Sequence, residues 1–435
     1  MRFSIRQADF FERPVRLRMP FRFGVVTMTE APQAFVRARI LLAGKEAEGA
    51  AAELLAPKWF DKNPALSNED NFEQLRNSMR QARAAYLAGG ENTAFGHSRP
   101  TVGLVENFGP ALLDRALLDA LCRALGISFY EAIRKNVAGL DLPTQFLESL
   151  QPASQIAARH TVGLVDPITS AEQRVNDGLP EILEDVIERY GHRWFKLKVG
   201  GNVRADVERL SEIAAVLDRI RAPYQASLDG NEQYEDIDGV LALWNAMQAS
   251  PKLKRLSASI VFIEQPIKRQ RALAADVSAL SKEKPVIIDE SDDSLDAFPR
   301  AKALGYKGVS SKTCKGIYKS LINAARCRQW GEGYFMTGED LTIQAGIALQ
   351  QDLALVSLLG LTHVERNGHH YVNGMAGLPP TEQENFLKEH PDLYERSHGA
   401  VRVRIQRGMI QMKSLDCAGY ASRAMPDWNA MEVMR

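Results

Sequence analysis

The run Trp194-Phe-Lys-Leu-Lys198 decides the fold class, because an apolar stretch ends here in a charged residue and the pattern then recurs in a fixed order. The later runs are Ala226-Ser-Leu-Asp229, Ile260-Val-Phe-Ile-Glu264, Val286-Ile-Ile-Asp289 and Gly308-Val-Ser-Ser-Lys312. Short apolar runs that end in a charge are typical of buried parallel strands whose carboxyl ends meet at a shared site. Two lysine-bearing strands therefore flank three carboxylate-bearing strands.

A strand–loop–helix pattern repeats across residues 141–372. The proposed strand ends are Gly163, Lys198, Asp229, Glu264, Asp289, Lys312, Thr337 and Glu365. Their intervals are close to the ~31 residues per unit of a (β/α)₈ barrel of roughly 250 residues. A doubly wound open sheet also alternates strands and helices. Eight regular units with charges converging from five strand ends favour the closed barrel, so we predict an α/β fold with a modified (β/α)₈ TIM-type barrel.

The chain before the barrel has a different pattern. Residues 2–54 alternate apolar and polar side chains, which suits antiparallel strands, and residues 68–87 and 109–125 have helical apolar spacing. We predict an N-terminal α+β capping domain over residues 1–140. We expect residues 373–435 to form a C-terminal segment that packs back on the cap. This segment is rich in arginine, and residues such as Arg402, Arg404 and Arg407 could instead form a solvated charged face.

The composition is that of an ordinary globular protein. Of 435 residues, 45% are hydrophobic and 25% are charged, and the formal net charge is zero. Nothing in this balance indicates nucleic-acid or membrane binding. The four cysteines are scattered, without metal-site spacing or a disulfide framework. We expect a cytoplasmic protein that forms a homo-oligomer and binds a small carboxylate as its substrate.

Lys196 and Lys198 share one face of their strand, because side chains alternate along a strand. Apolar neighbours occupy the other face, so both lysines are predicted to point into the barrel. A parallel barrel strand is covered on both faces, and two inward lysines are costly unless they lie near anions. A half-exposed strand with solvated lysines is the alternative for an isolated Lys-x-Lys.

Asp229, Glu264 and Asp289 end three successive strands and are predicted to lie side by side. Their charges would repel one another, and a hard divalent cation would relieve the repulsion. An all-oxygen site with room for water suits Mg²⁺, with Mn²⁺ able to substitute. Each acid could instead cap a helix or pair with a lysine. Asn231 shares the parity of Asp229 and is predicted to support the metal or the substrate. Glu290 points away from Asp289 and is predicted to orient a lysine.

Lys198 and Lys312 end the second and sixth proposed strands and should face each other across the barrel mouth. A carboxylate substrate held by the metal would then place its α-carbon between two ammonium groups, and the metal would stabilise the enediolate that forms when the α-proton leaves. We predict that Lys196 is a catalytic residue together with Lys198 and Lys312. We expect crowding by Lys196, and by Lys315 near Lys312, to lower a lysine pKa towards the range that a base needs.

The chain resembles the enolase superfamily, in its muconate-lactonizing-enzyme-like subgroup. The matching motifs are Lys196-Leu-Lys198, Asp229-Gly-Asn231, Ile263-Glu-Gln-Pro266, Ile288-Asp-Glu-Ser291, Ser311-Lys-Thr-Cys-Lys-Gly316 and the cap segment Pro20-Phe-Arg-Phe-Gly24. The resemblance implies a cap over a modified barrel, Mg²⁺ held by the three acids, and Lys198 and Lys312 as acid/base residues. A lysine on the sixth strand differs from the His–Asp pair of the mandelate-racemase-like branch.

The eighth strand departs from one branch of that family. It reads Thr362-His-Val-Glu-Arg-Asn-Gly368 and lacks the Asp-x-Asp with which dipeptide epimerases hold a substrate ammonium. Glu365 is a candidate for substrate contact there. In the cap, Phe21 and Arg22 are further candidates for the distal end of the substrate, together with Phe23, Lys58, Trp59 and Phe60, although ordinary cap packing explains them equally well.

Two other patterns are set aside. The adjacent His369 and His370 point apart, and no third histidine has useful spacing, so a polar loop is favoured over a metal pair. Val199-Gly200-Gly201 lacks the spacing of a phosphate-binding loop. We therefore predict a Mg²⁺-dependent racemase or epimerase that removes an α-proton through an enediolate. A cycloisomerase, a β-eliminating lyase resembling o-succinylbenzoate synthase, and a non-catalytic metal-stabilised small-acid binding protein are the alternatives.

Overall fold

The computed structural model describes residues 1–170 and 174–434. Within that part of the chain, an antiparallel sheet with packed helices precedes a closed barrel of eight parallel strands. The predicted fold class is confirmed. No helix in these residues is both long enough and apolar enough to span a bilayer.

The cap sheet has the strand order β16-β1-β2-β3, with β4 beside β1. Its strands are β1 (Phe3–Phe23), β2 (Val26–Leu42), β3 (Lys45–Leu54), β4 (Glu91–Asn92) and β16 (Glu432–Val433). Ala43 and Gly44 have positive φ and make the tight turn between β2 and β3. The cap helices are α1 (Asn68–Leu87), α2 (Ala94–His97), α3 (Phe108–Leu125), α4 (Phe129–Arg134) and α5 (Thr144–Glu148).

Two local features hold the cap helices in place. A capping box begins α1: the Ser67 hydroxyl accepts from the amide of Asp70, whose carboxylate accepts from the amide of Ser67. Helix α3 lies directly on β3 at Gly49, where a Cβ atom would come within 2.2 Å of the Ala120 nitrogen. Any larger residue at position 49 would push the helix off the sheet.

The barrel closes where its last strand pairs with its first. Val364 lies opposite Ala158, and Glu365 lies opposite Arg159. The parallel strands are β5 (Gln155–Val162), β6 (Trp194–Lys198), β7 (Gln225–Asp229), β8 (Ile260–Glu264), β9 (Val286–Ile288), β10 (Gly308–Ser311), β11 (Phe335–Gly338) and β12 (His363–Glu365). Each strand therefore ends at, or next to, the residue proposed from the sequence.

Helices and short connections cover the barrel and lead into the C-terminal segment. The helices are α6 (Leu183–Tyr190), α7 (Val203–Leu217), α8 (Ile237–Ala249), α9 (Lys254–Ser259), α10 (Arg269–Ala272), α11 (Ser278–Glu283), α12 (Ala297–Ala303), α13 (Ile317–Trp330), α14 (Ile347–Leu358), α15 (Gly368–Tyr371) and α16 (Pro380–Glu389). The last strands are β13 (Tyr394–Ser397), β14 (Ala400–Val403) and β15 (Met409–Gln411), of which β15 runs antiparallel to β5.

The C-terminal segment reaches the cap, but Arg402 and Arg404 make their hydrogen bonds within the segment itself. The amide of Tyr420 donates to Asp119 of α3 at 2.6 Å, and β16 pairs with β1. In contrast, Arg402 is 2% exposed and donates to the carbonyl of Ser397, within the C-terminal segment itself. Arg404 likewise donates to the carbonyl of Asp392.

Candidate active site at the barrel mouth

The two lysines of β6 point into the barrel. Phe195 and Leu197, on the opposite face of the strand, are fully buried in the layer between strands and helices. Lys196 Nζ lies 2.9 Å from Asp229 Oδ2, and Lys198 Nζ lies 2.5 Å from the same oxygen. Strand parity thus places both ammonium groups on the carboxylate cluster.

Lys196 lies at the centre of that cluster. Its Nζ is 2.9 Å from Glu264, 2.7 Å from Glu339 and 3.1 Å from Glu365. The side chain is 1% exposed, so its charge is balanced by protein carboxylates and not by solvent. This arrangement suits a fixed structural and electrostatic role for Lys196 better than proton transfer.

Asp289 has its own set of cations, from the other side of the barrel. Its carboxylate accepts hydrogen bonds from Lys312 Nζ and from the Ser310 hydroxyl. Lys315 Nζ lies 3.2 Å from Asp289 and 3.2 Å from Asp292. Asp289 is therefore held by two buried lysines of the sixth strand and the turn that follows it.

Gln265 aligns the backbone that carries Asp289. Its side-chain oxygen accepts from the amide of Asp289 at 2.8 Å and from the amide of Ser291 at 3.1 Å. Its side-chain nitrogen donates to the Ser291 hydroxyl at 2.8 Å. The Gln265 amide thus ties the end of the fourth strand to the end of the fifth.

The expected lowering of a lysine pKa by crowding is wrong for this arrangement. Burial alone would lower the pKa of Lys196, but Asp229 and the other carboxylates outweigh it and raise that pKa well above its usual range. Burial also opposes the charged form of Lys312, and Asp289 again raises its pKa. Carboxylates in direct contact therefore outweigh the neighbouring ammonium groups at both positions.

The carboxylate trio fits a divalent cation. Burial, followed by the charges of Asp229 and Glu339, raises the pKa of Glu264 well above its usual range. Glu264 Oε2 is buried and makes no hydrogen bond to any residue that the structure describes, although Lys196 Nζ is 2.9 Å away. Buried carboxylates that repel one another and carry a free lone pair are suitable ligands for Mg²⁺. Asp229, Glu264 and Asp289 are thus the residues that could hold the ion.

Asn231 and Glu290 lie together beside the trio. The Asn231 amide donates to Asp229 at 2.8 Å, and its side-chain nitrogen donates to Glu290 Oε1 at 3.2 Å. Lys62 of the cap lies 3.5 Å from the same Glu290 oxygen. Glu290 does contact a lysine, as the sequence predicted, but the lysine comes from the cap and not from the barrel.

One cap loop, which contains Trp59, Phe60 and Lys62, is held over the barrel mouth by ion pairs. Lys62 pairs with Glu232 and donates to the carbonyl of Asn231 at 2.7 Å. Arg269 lies 2.8 Å from Glu232 and donates to the carbonyls of Trp59 and Phe60 at 2.8 and 2.9 Å. The loop is thus held against the turns that follow β7 and β8.

That loop places an aromatic ring on one of the lysines. The Lys312 ammonium lies 4.4 Å from the centre of a Trp59 ring, and Trp59 is 2% exposed. A cation over an indole face is an attractive contact that strengthens when water is excluded. Trp59, which the sequence offered only as a candidate for lining the substrate, therefore contacts the proposed acid/base residue itself.

Phe21 and Arg22 lie at the end of β1, where it pairs with the start of β2. Phe21 is buried, with ring centres 5.1 Å from Phe23 and 4.2 Å from Tyr371. The side chain of Arg22 is exposed, and its carbonyl accepts from the amide of Leu164 at 3.3 Å. Phe21 is thus part of the packing over the barrel, and Arg22 lies at its edge.

The sequence reasoning did not identify Glu339 and Arg159, which belong to the charged cluster around Lys196. Glu339 follows β11 and bonds to Lys196, and Arg159 of β5 forms a fully buried ion pair with Glu339. The run Phe335-Met-Thr-Gly-Glu339 carries the same signal as the other strand ends, a charge after an apolar run. The predicted end of the seventh strand, Thr337, lies two residues before Glu339, so the prediction did not include this carboxylate.

Comparisons with known proteins give the family. Residues 179–413 match the family described as Enolase C-terminal domain-like. A curated relative, the N-succinyl-L-Arg/Lys racemase of Bacillus cereus, is 24% identical over 216 residues. The match covers 48% of this chain and 51% of the relative, so the chain matches about half of the relative's length.

Solved structures share the fold across both domains. The muconate lactonizing enzyme of Pseudomonas fluorescens, in complex with muconolactone, has a TM-score of 0.65 at 16% identity, over 98% of this chain and 97% of that one. The N-succinyl Arg/Lys racemase of B. cereus has a TM-score of 0.62 at 18% identity, with complete coverage of both chains. The dipeptide epimerase of Cytophaga hutchinsonii, in complex with Mg and a dipeptide, has a TM-score of 0.62 at 15% identity, over 99% of each chain.

Proposed function

Because this chain belongs to the Enolase C-terminal domain-like family, we propose that it is a Mg²⁺-dependent racemase or epimerase that removes and returns the α-proton of a carboxylate substrate. One observation carries the proposal. Lys198 and Lys312 come from strands half a barrel apart, yet each bonds to a different member of one carboxylate cluster. An α-carbon held above that cluster would have one lysine on each of its two faces.

The residues of this chain then have separate roles. Lys198 takes the α-proton from one enantiomer, and Lys312 gives a proton to the opposite face; the reverse direction exchanges the two roles. Mg²⁺ bound by the carboxylate trio would supply the positive charge that stabilises the substrate anion between these two steps. The buried site keeps water away from both proton carriers.

We propose an N-acylated amino acid as the substrate class. The supporting observation lies at the eighth strand, where the carboxylate of Glu365 already contacts Lys196 at 3.1 Å and Thr161 at 2.5 Å. Asn367 also donates to Glu365, at 3.1 Å. A Glu365 so fully engaged has little capacity to hold a free ammonium, whereas an acylated nitrogen carries no charge to balance. The curated relative is named for N-succinyl-Arg/Lys, which belongs to this substrate class.

The decisive experiment is solvent exchange. The full chain with Mg²⁺ is incubated in D₂O with N-acyl amino acids, free dipeptides and cyclic acids of both hands, and the mass shift and the optical purity are followed together. We expect deuterium at the α-carbon and loss of optical purity with N-acyl amino acids. Lys268→Ala, a change at a half-exposed lysine that pairs with Glu235, serves as the control and should not alter exchange.

The other outcomes identify the alternatives. Exchange that leads to an eliminated or cyclised product would replace racemisation by the lyase or cycloisomerase function. Binding of the acids without any exchange would leave a non-catalytic binding protein. Deuterium exchange at the α-carbon of dipeptides but not of N-acyl amino acids would overturn the proposed substrate class and leave the proposed reaction intact.

A further inference from the structure

Three buried histidines meet on the outer side of the barrel wall. His160 belongs to β5, His192 precedes β6, and His369 belongs to α15. His369 Nε2 lies 3.0 Å from His160 Nδ1 and 3.2 Å from His192 Nε2. All three side chains are at most 5% exposed. Three ring nitrogens from three separate chain segments thus point at one another.

This cluster is separate from the carboxylate site. Arg159 and Thr161, the neighbours of His160 on β5, point into the barrel, where they bond to Glu339 and Glu365. Because side chains alternate along a strand, His160 points the opposite way, into the layer between strands and helices. Tyr190 of α6 packs edge-on against His369 there.

Hydrogen bonding alone does not satisfy the three nitrogens. His192 Nδ1 lies 3.0 Å from the Ala158 carbonyl and must carry the proton, so His192 Nε2 presents a lone pair. His369 Nε2 can direct a single N–H at only one of its two neighbours. Among the described parts of the chain, a buried lone pair is therefore left without a good donor, and such groups cost free energy.

The three rings are also in the correct protonation state for metal binding. Burial lowers the pKa of His192 to about 4. Burial, with the charges of the neighbouring histidines, holds the pKa of His160 and His369 well below the usual range. Neutral imidazole is the form that binds transition metals.

We propose that His160, His192 and His369 bind one transition-metal ion of the Zn²⁺ class. Zn–N bonds of about 2.0–2.1 Å at tetrahedral angles place ligand nitrogens ~3.3 Å apart, close to the two separations found here. The Ala158 carbonyl fixes the tautomer and orientation of His192, as carbonyls commonly do for metal-bound histidines. Three imidazoles select Zn²⁺, Co²⁺ or Ni²⁺ over Mg²⁺.

The fourth ligand position takes a small anion or water. Arg18 and Arg402 lie close enough to contribute to the lowered pKa of His369, and their charges also attract an anion. A small cavity lined by His369, Arg366, Arg402 and mainly apolar residues lies against His369. Chloride or hydroxide in the fourth position would offset part of the ion's charge.

The ion would stabilise the closed form of the barrel. His160 lies on the first strand, His369 follows the last, and these two strands pair to close the ring. One ion bound to both segments, and to the residue that precedes the second strand, would link three parts of the chain that separate on unfolding. A ligand that binds only the folded state stabilises it.

Metal titration of the full chain tests this proposal. The protein is stripped with a chelator, Mg²⁺ is added in excess to fill the carboxylate site, and Co²⁺ or Zn²⁺ is then titrated. We expect one equivalent of Co²⁺ to give the intense visible absorption of a four-coordinate ion, and one equivalent of Zn²⁺ to raise the melting temperature. X-ray absorption of the Zn²⁺ form should show imidazole nitrogens at about 2.0–2.1 Å.

Variants assign the ion to the cluster. His192→Gln and His369→Gln should lose the Co²⁺ bands, whereas His370→Gln, a change to the adjacent histidine, should keep them. Glu264→Gln removes a carboxylate on the other side of the barrel wall and should keep them too. Bands that survive both ligand substitutions, or that vanish with Glu264→Gln, would overturn the site. If the ligand variants do not fold, X-ray absorption of the wild-type Zn²⁺ form provides the test. A coordination shell of oxygen atoms without imidazole nitrogens would also overturn the proposed site.

Discussion

The indole of Trp59 covers the ammonium of Lys312, with 4.4 Å between the nitrogen and the ring centre. Trp59 is a cap residue and Lys312 a barrel residue, so the environment of one proposed proton carrier depends on the cap. Lys198, by contrast, is held by Asp229 of the adjacent barrel strand at 2.5 Å. Lys312 also pairs with Asp289 of its own adjacent strand, so the cap adds the contact with Trp59 to a barrel ion pair like that of Lys198.

Replacing Trp59 should affect only one direction of proton exchange. Trp59→Leu removes a cation–π contact of roughly 2 kcal/mol in a water-excluded site, so exchange that depends on Lys312 should slow by about 10- to 30-fold. Exchange that depends on Lys198 should change far less. The measurement is α-deuterium incorporation into each enantiomer separately.

Two controls accompany this variant. Trp59→Phe keeps a ring and should retain part of the rate. Trp330→Leu removes the contact of another indole with a lysine, Lys302 at 5.1 Å, and should leave exchange unchanged. Equal slowing of both enantiomers by Trp59→Leu would show that the ring supports the whole site and not Lys312 alone.

The two lysines should have opposite stereochemical roles. Lys198→Ala should stop α-proton exchange for one enantiomer and Lys312→Ala for the other, and both should abolish interconversion. Loss of a positioned acid/base residue costs about 10²–10⁴-fold, which exchange assays resolve easily. If one substitution abolishes all exchange and the other only weakens binding, the enzyme has a single base and the racemase proposal fails.

Removal of the metal should abolish turnover and lower the melting temperature, and Mg²⁺ should restore both. The reason is the mutual repulsion of Asp229, Glu264 and Asp289 around one point. Asp229→Asn, Glu264→Gln and Asp289→Asn should each lose turnover while remaining folded, as checked by circular dichroism. Glu290→Gln is the matched comparison and should be milder. Full activity in verified metal-free protein would contradict the metal assignment.

Gln265 should be important for stability through its side-chain oxygen. Gln265→Leu leaves the buried amides of Asp289 and Ser291 without an acceptor, at a cost of about 1–3 kcal/mol for each group. Gln265→Glu keeps the acceptor but loses the donor to Ser291, so its oxygen should preserve both amide bonds. Urea denaturation measures the free energy of unfolding of each variant, and an equal loss in both would contradict this role.

Asp114 should make stability depend on pH. Burial raises its pKa to about 7, while Tyr86 and Ser98 donate to it at 2.7 and 2.6 Å. Between the unfolded pKa of about 3.9 and about 7, the folded state holds a proton that the unfolded state has lost. The free energy of unfolding therefore falls as pH rises through this window, by a few kcal/mol at most.

The isosteric variant isolates that contribution. Asp114→Asn carries no titrating proton, so its free energy of unfolding should fall less steeply over the same window. Asp141→Asn, at an exposed carboxylate, is the matched control and should keep the wild-type slope. Parallel slopes for wild type and Asp114→Asn would show that Asp114 titrates normally.

The barrel and its lysine and carboxylate cluster could be predicted because each strand carries its own signal. Parity alone placed Lys196 and Lys198 inside, and the order of charged strand ends brought Asp229 beside Glu264. The direction of the pKa shift at Lys196 could not be predicted, because it depends on four acids converging from separate strands, of which Glu339 was overlooked.

Contacts between distant segments had no sequence signal. Trp59 meets Lys312 only because the ion pairs of Lys62 and Arg269 with Glu232 dock a cap loop on the barrel. The partners of His369 were missed for the same reason. The sequence shows that His369 lies next to His370. His160 and His192, however, come close to His369 only when the barrel closes.

The pairing of β16 with β1, through Phe11 and Val433, also has a consequence for biosynthesis. The cap sheet gains this edge strand only after the whole barrel has left the ribosome. Contacts between residues so far apart in sequence form late, because a long loop must close first. During translation, the part of this edge of β1 around Phe11 therefore stays open to other strands, and rapid folding of the barrel would shorten the time available for aggregation.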